Sequence, residues 1–231
     1  MSTLTSDVLA RNLYSVRSKI EDAAHRAGVP LPRLLAVTKS CDDDTFRALL
    51  SLGVDAVGEN RARQCQARAE IIAEENAPCE MHLIGSLQTN KVKYVLARTA
   101  LIHSVDSLSL ADEIERLATK AGRRIAVLAE VNSGREPNKG GVMPEALDEF
   151  VHAIKERPHL SLCGLMTMAP LSDEKEAYRP YFRETRRAFD RLQALFEGDK
   201  PILSMGMSNS FEIAIEEGAT LVRVGSALFR N

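Results

Sequence analysis

The stretch Leu34-Leu35-Ala36-Val37-Thr38-Lys39 has the length and composition of a buried β-strand that ends in a lysine. Its first four residues are apolar and Pro32 lies just before it, which favours a strand over a helix. The lysine allows two interpretations. Its stem can cover the strand end while the ammonium reaches water. Alternatively, the site desolvates the amine, lowers its pKa and makes it a Schiff-base former.

Outward from this stretch, strand patterns alternate with helix patterns. An amphipathic helix is predicted before it, over residues 4–27, and Gly28 and Pro30 end that helix. The predicted strands are 34–39, 54–59, 81–85, 101–105, 124–131, 160–168, 201–205 and 221–229. The predicted helices between them are 42–53, 60–75, 89–98, 107–121, 144–157, 174–196 and 210–217, with 174–196 the longest.

Eight strands separated by helices predict a parallel sheet, and eight is the number that closes a (β/α)8 TIM barrel. The alternative is a doubly wound open sheet, which would carry a dinucleotide-binding G-x-G-x-x-G after an early strand. No such motif occurs there, and no linker-like segment interrupts the sequence. We therefore predict an α/β fold with one TIM-barrel domain over residues 1–231, preceded by an extra N-terminal helix.

Composition limits the possible partners. The 231 residues include 30 Lys and Arg against 32 Asp and Glu, and the basic residues are scattered, so no nucleic-acid or membrane surface is indicated. The four cysteines form no C-x-x-C pair, which argues against a metal site or a disulfide framework and suits a reducing compartment. No signal peptide and no membrane-spanning apolar run is evident. We expect a cytoplasmic, monomeric protein without a metal.

In a barrel the functional face lies at the carboxyl ends of the strands. Ser208-Asn209-Ser210 follows the seventh strand, and Glu212 stands in capping-box spacing from Asn209. A helix start of this kind, next to Gly225-Ser226 after the eighth strand, suits a phosphate group. Helix caps of this composition also occur without any ligand.

Arg223 lies within the apolar eighth strand, and strand alternation points it into the barrel below Gly225. A structural ion pair with Glu59 or Glu130 is the alternative interpretation. A lysine at the mouth, phosphate donors across it and an inward arginine together fit one ligand, pyridoxal 5'-phosphate. Its aldehyde would meet Lys39, and its ring nitrogen would face Arg223.

With these residues the chain resembles the pyridoxal-phosphate homeostasis proteins, which are similar in fold to the barrel domain of alanine racemase. The resemblance covers nearly the whole chain. It rests on residues 34–39, Gly58-Glu59-Asn60, residues 82–91, Gly164-Leu165-Met166, residues 203–208 and Arg223-Val224-Gly225-Ser226. Segments 82–91 and 203–208 are the most specific.

The resemblance implies a role for six residues. Lys39 would form the Schiff base, Arg223 would contact the ring nitrogen and Asn60 would lie beside the cofactor. The phosphate ligands would be Ser208, Gly225 and Ser226. The sequence departs from the family pattern at three places on the rim, which are Ser40-Cys41-Asp42 where a proline is frequent, Arg61 where an aromatic residue is frequent, and Asn209 where an aspartate is frequent.

The resemblance further implies a protein of intracellular pyridoxal-phosphate homeostasis that holds the cofactor without efficient catalysis. It would have no catalytic residue, and its partners would be the cofactor and either cofactor-dependent apoenzymes or amino acids. The alternative is an amino-acid racemase, which needs a second acid or base on the opposite face of the cofactor. In alanine racemases a second domain supplies it as a tyrosine, and because this chain ends at Asn231 we expect no such domain. A barrel lyase that uses Lys39 on a phosphorylated sugar is a more distant alternative.

Overall fold

In the computed structural model, which describes residues 5–230, eight parallel strands form a closed barrel in chain order. The strands are β1 (Arg33–Val37), β2 (Ala56–Glu59), β3 (Glu80–Leu83), β4 (Leu101–Val105), β5 (Ile125–Val131), β6 (Leu160–Thr167), β7 (Ile202–Ser204) and β8 (Leu221–Val224). Pairing of β8 with β1 closes the barrel, with Leu35 opposite Arg223. The predicted TIM-barrel fold is therefore confirmed.

Within residues 5–230, seven α-helices surround or precede the strands. They are α1 (Ser6–Ala27), α2 (Asp43–Ser51), α3 (Ala62–Glu74), α4 (Leu108–Ala121), α5 (Leu147–Lys155), α6 (Arg179–Leu192) and α7 (Phe211–Glu216). Helix α1 is the extra N-terminal helix, and it buries the predicted apolar stripe of Leu9, Leu13, Val16 and Ile20. Its Asn12 side chain donates to the backbone oxygens of Leu228 (3.0 Å) and Arg230 (2.8 Å), which ties the first helix to the end of the chain. None of the described helices is long and apolar enough to cross a bilayer.

Two predicted helices differ from the structure. The helix predicted over 174–196 is shorter, because α6 begins at Arg179 with Pro180 in its first turn, flanked by 3₁₀ turns. Proline inside a helix lacks the N–H and clashes with the preceding turn, so the longer helix is disfavoured and α1 is the longest. The segment predicted as a helix over 89–98 is a 3₁₀ helix at Thr89–Tyr94. It is rich in β-branched and aromatic residues, which are poor helix formers.

The last strand was also predicted too long. It ends at Val224 rather than at residue 229, because Gly225 begins a turn in which its carbonyl accepts from Leu228 N (2.8 Å). The first residue of the predicted N-terminal helix, Leu4, lies outside the described residues.

The interior of the barrel is filled in two parts. Apolar side chains form two clusters that are separate from the main core between strands and helices; these are Leu35, Ala56 and Leu221 with Ile84 and Ile202, and Leu101, Leu128 and Met166. Polar side chains occupy positions nearer the carboxyl ends of several strands, where Arg223 follows Leu221 by two residues. The polar part places charge directly beneath the predicted functional face.

Candidate functional site at the barrel mouth

Lys39 lies just beyond β1 rather than within it. The strand ends at Val37, and Lys39 belongs to an exposed turn closed by a hydrogen bond from Cys41 N to Thr38 O (3.1 Å). Its side chain has no hydrogen bond or ion pair with the described part of the chain, residues 5–230. The amine is therefore open to solvent at the mouth of the barrel, where a ligand can reach it.

The loops after β7 and β8 meet at one hydroxyl group. Ser208 Oγ accepts hydrogen bonds from the backbone N–H groups of Gly225 and Ala227, both at 3.3 Å. A Cβ on Gly225 would lie 3.1 Å from both Val37 O and Val37 Cβ, a tight contact that glycine avoids where this turn approaches the first strand. The structure thus brings together Ser208, Gly225 and the exposed Ser226, which sequence analysis had placed in one site.

The predicted capping box before α7 is wrong. No side chain caps this helix, and the amides of Ser210 and Phe211 both bond to Met207 O at 2.8 Å. Glu212 instead pairs with Lys175 at 3.2 Å. The helix start therefore offers these amides to no ligand. At this rim the donors without a partner among residues 5–230 are the Ser208 hydroxyl and the backbone amide and hydroxyl of Ser226.

Arg223 points into the barrel, as predicted, and is almost fully buried. Its Nη1 donates to Ser204 Oγ (2.7 Å) and its Nη2 to Thr167 O (2.8 Å). A guanidinium has five N–H donors, so three remain without a partner among residues 5–230. Burial lowers the pKa of Arg223 to about 10, and the nearby Glu130 carboxylate opposes that shift, so the side chain stays charged at neutral pH.

Neither glutamate suggested as an ion-pair partner bonds to Arg223. Glu59 accepts from Thr38 Oγ1 (2.6 Å) and pairs with Arg68 at 3.7 Å. Its other carboxylate oxygen is the one buried side-chain polar atom without a partner among the described residues. Glu130 influences the pKa of Arg223 but forms no ion pair with it in this part of the chain.

A chain of buried hydrogen bonds leads from Arg223 across the interior of the barrel. Ser204 Oγ lies 3.0 Å from His103 Nδ1, and His103 Nε2 lies 3.0 Å from His82 Nδ1. His82 Nε2 reaches Glu80 Oε2 at 3.1 Å. Sequence analysis missed this chain; strand alternation could have placed these side chains inside, but not in contact.

Glu80, at the end of this series of hydrogen bonds, determines which group donates in each of them. The hydrogen bond from His82, together with Arg33, lowers the pKa of Glu80 to about 2, so its carboxylate only accepts. Burial lowers the pKa of both histidines, that of His103 further because His82 and Arg223 are near, so both are neutral. His82 therefore carries its proton on Nε2, His103 carries its own on Nε2, and Ser204 donates to His103.

Two further residues flank the mouth. Asn60 follows β2 and is half-buried, and its backbone lies so close to Gly85 that a Cβ there would sit 2.2 Å from Asn60 O. Cys41, beside Lys39, points its sulfur at Thr38 O (3.1 Å), and burial raises its pKa to about 12. It is therefore an unreactive thiol at neutral pH. Within residues 5–230, no group of three side chains is arranged to hold a metal ion.

Comparison with known proteins places this barrel and site in a family. Residues 11–230 match the family described as alanine racemase, N-terminal domain. The pyridoxal phosphate homeostasis protein of Aquifex aeolicus is 43% identical over 219 residues, which covers 94% of this chain and 95% of that protein. The homologue of the same name from Helicobacter pylori strain 26695 is 36% identical over 201 residues, or 86% of this chain and 87% of that protein.

Solved structures of two proteins have the same fold as this chain. PipY of Synechococcus elongatus, solved with pyridoxal phosphate bound, superposes with a TM-score of 0.83 at 29% identity and covers 96% of this chain and 100% of its own. An alanine racemase of Clostridium difficile has a TM-score of 0.75 at 16% identity, over 97% of this chain and 57% of its own, which shows likeness of fold alone. The fold and site define a barrel of the alanine racemase N-terminal type. Within that class, the chain belongs to the pyridoxal phosphate homeostasis protein family.

Proposed function

We propose that this protein binds pyridoxal 5'-phosphate at the barrel mouth and serves in its intracellular homeostasis, holding the cofactor covalently without efficient catalysis. The observation that carries the proposal is that one end of the barrel holds Lys39, the Ser208 turn and the buried, charged Arg223, three of whose N–H donors have no partner among residues 5–230. Relatives bearing the homeostasis name and PipY with the cofactor bound support it.

The residues present fit the cofactor by their chemistry. Its aldehyde carbon, when bound, would be open to reversible attack by a primary amine, which Lys39 provides. Ser208 and the backbone amides of the Gly225-Ser226 turn would hold the phosphate, since hydroxyl and N–H donors suit an anion. Arg223 would donate to the ring nitrogen, and Asn60 would lie beside the cofactor.

The same residues argue against fast turnover. Arg223 stays protonated and can only donate a hydrogen bond, so it supplies no proton to the ring nitrogen and leaves the cofactor a weak electron sink. A racemase needs an acid or base on each face of its substrate. Tyr178, one candidate, is engaged with Ser172 by hydrogen bonds of 2.8 and 3.1 Å.

Two measurements test the binding site. Borohydride reduction of the loaded protein followed by peptide mapping should place the label on Lys39; label only on Lys91 or Lys139 would overturn the assignment. Ser208→Ala should weaken binding of pyridoxal 5'-phosphate by about tenfold or more, since a hydrogen bond to an anion contributes about 1.5–3 kcal/mol. Pyridoxal without phosphate should bind both forms alike, and Ser109→Ala, on the exposed start of α4, should change neither affinity.

A steady-state assay over the common L- and D-amino acids tests the absence of efficient catalysis. We expect slow spectral change without sustained product. Turnover near the ordinary enzyme median of about 10 per second, abolished in Lys39→Ala, would make the protein an enzyme and refute the proposal.

A further inference from the structure

A second polar feature of the barrel mouth takes no part in the proposed cofactor contacts. Glu130 is the penultimate residue of β5 and alternates with Leu128, which faces the barrel interior, so its side chain lies inside as well. It is 4% exposed. Its carboxylate accepts no hydrogen bond and forms no ion pair within residues 5–230, and both of its oxygens keep some contact with solvent.

A second carboxylate lies next to it. Asp106 directly follows β4, and the two acidic groups converge beneath Gly140 in the rim loop after β5. A Cβ on Gly140 would lie 3.1 Å from Asp106 Oδ2 and 3.6 and 3.7 Å from the two oxygens of Glu130. Because Gly140 is exposed and has no side chain, nothing of its own covers the carboxylates from the rim.

The charges around Glu130 are unbalanced. Of the charged groups that act on it, Asp106 repels its charge and Arg223 attracts it without forming an ion pair. Burial and Asp106 together raise the pKa of Glu130 to about 7. Two ionised carboxylates this close repel each other, and a cation with N–H donors between them removes that repulsion.

Two convergent carboxylates indicate the kind of ligand that would bind between Glu130 and Asp106. An ammonium group carries one positive charge and three N–H donors on a single atom, which matches two convergent carboxylates. A hard divalent cation prefers six or more oxygen ligands, and no group of three metal-binding side chains occurs among the described residues.

We propose that Glu130 and Asp106 form a binding site for the ammonium group of a primary amine at the mouth of the barrel. The proton balance is simple: R–NH₃⁺ keeps its three protons, and a Glu130 that is protonated before binding releases its proton to solvent as the ion pair forms. The biological meaning rests on the proposed function, since a primary amine is the class of compound that can take an aldehyde cofactor from Lys39 by exchange. The ammonium site itself does not depend on the cofactor.

The test uses the full chain without cofactor. The ¹³Cδ resonance of Glu130, assigned with Glu130→Gln, is followed through pH titrations with ethylamine, with ethanol as the uncharged control and tetramethylammonium as a cation without N–H donors. Saturating ethylamine should lower the titration midpoint of Glu130 by about one pH unit, and the two controls should leave it unchanged. Glu130→Gln should weaken ethylamine binding tenfold or more.

Glu136→Gln is the matched control, because Glu136 lies in the same loop and pairs with Lys139 at 3.8 Å. It should bind ethylamine as the wild type does. Equal binding by wild type and Glu130→Gln, or an equal shift with ethanol, would overturn the proposal. A shift of the Glu130 titration midpoint by Mg²⁺ alone would also overturn the proposal. The proposal would fail as well if Lys139→Met lost the wild-type titration of Glu130, because the lysine of the same loop would then be the group that occupies the site. A separate absorbance titration with pyridoxal 5'-phosphate reports on the proposed function, so the two failures are distinguishable.

Discussion

Ser204→Ala should destabilise the fold more than any other single hydroxyl removal at the barrel mouth. Ser204 is fully buried, and its hydroxyl accepts from Arg223 at 2.7 Å while donating to His103 at 3.0 Å. The substitution leaves a charged donor and a neutral acceptor without partners in the barrel interior. No described residue is positioned to replace the hydroxyl for both groups at once.

The magnitude follows from those two bonds. A hydrogen bond to a charged group contributes about 1.5–3 kcal/mol, and a buried polar group left unsatisfied costs about 1–3 kcal/mol. Because the losses share one atom and are not independent, we expect about 3 kcal/mol in total. For a chain of this size that corresponds to a fall in Tm of roughly 10 °C.

The assay is urea unfolding monitored by circular dichroism at pH 7, with Ser208→Ala as the control. Ser208 also bonds to two groups, but at 3.3 Å and beside the exposed Ser226. The control should therefore lose less than about 1 kcal/mol. A Ser204→Ala protein within 0.5 kcal/mol of wild type, on the scale of ordinary surface substitutions, would refute the hydrogen-bond chain as drawn.

Two more substitutions test the fold. Glu197→Gln should lower the free energy of unfolding by about 1–2 kcal/mol at pH 7. Although burial opposes ionisation, hydrogen bonds from Lys155 (2.8 Å) and two other donors lower the pKa of Glu197 to about 2. Its contribution is therefore full above the ordinary pKa of 4.5 and is lost as pH falls towards 2; a difference in urea unfolding that stayed constant from pH 5 to pH 3 would contradict this. Gly164→Ala should cost about 3 kcal/mol or more in thermal unfolding, because its φ is +149° and a Cβ would lie 1.9 Å from Ile202 O. Gly28→Ala, at φ +64° with open space around it, should cost only about 1–2 kcal/mol, and equal losses at both glycines would exclude the steric clash as the cause.

The barrel was predictable because most of its strands are short apolar runs and most of the helices between them have an amphipathic periodicity. The inward direction of Arg223 followed from alternation within one strand. The local errors arose where one residue overrides a pattern, as Pro180 does at the start of α6. Glu59, named with Glu130 in the alternative interpretation of Arg223, pairs instead with Arg68 on a helix outside the barrel, and sequence alone does not give that contact.

The contacts inside the barrel could not be predicted for a different reason. His82, His103 and Ser204 come from β3, β4 and β7, and their meeting depends on the shear between strands that are distant in sequence. Alternation fixes which face a side chain occupies but not its height in the barrel. The convergence of Asp106 and Glu130 beneath Gly140 has the same origin.

The seam between β1 and β8 has a consequence for how the protein is made. Lys39 follows the first strand, whereas Arg223 and Ser226 belong to the last strand and its turn. The candidate site therefore forms only after residues 221–226 have left the ribosome and β8 has paired with β1. A nascent chain that stops before Leu221 has no such site. A ligand that contacts residues on both β1 and β8 would bind only the closed barrel and would stabilise it by RT ln(1 + [L]/Kd).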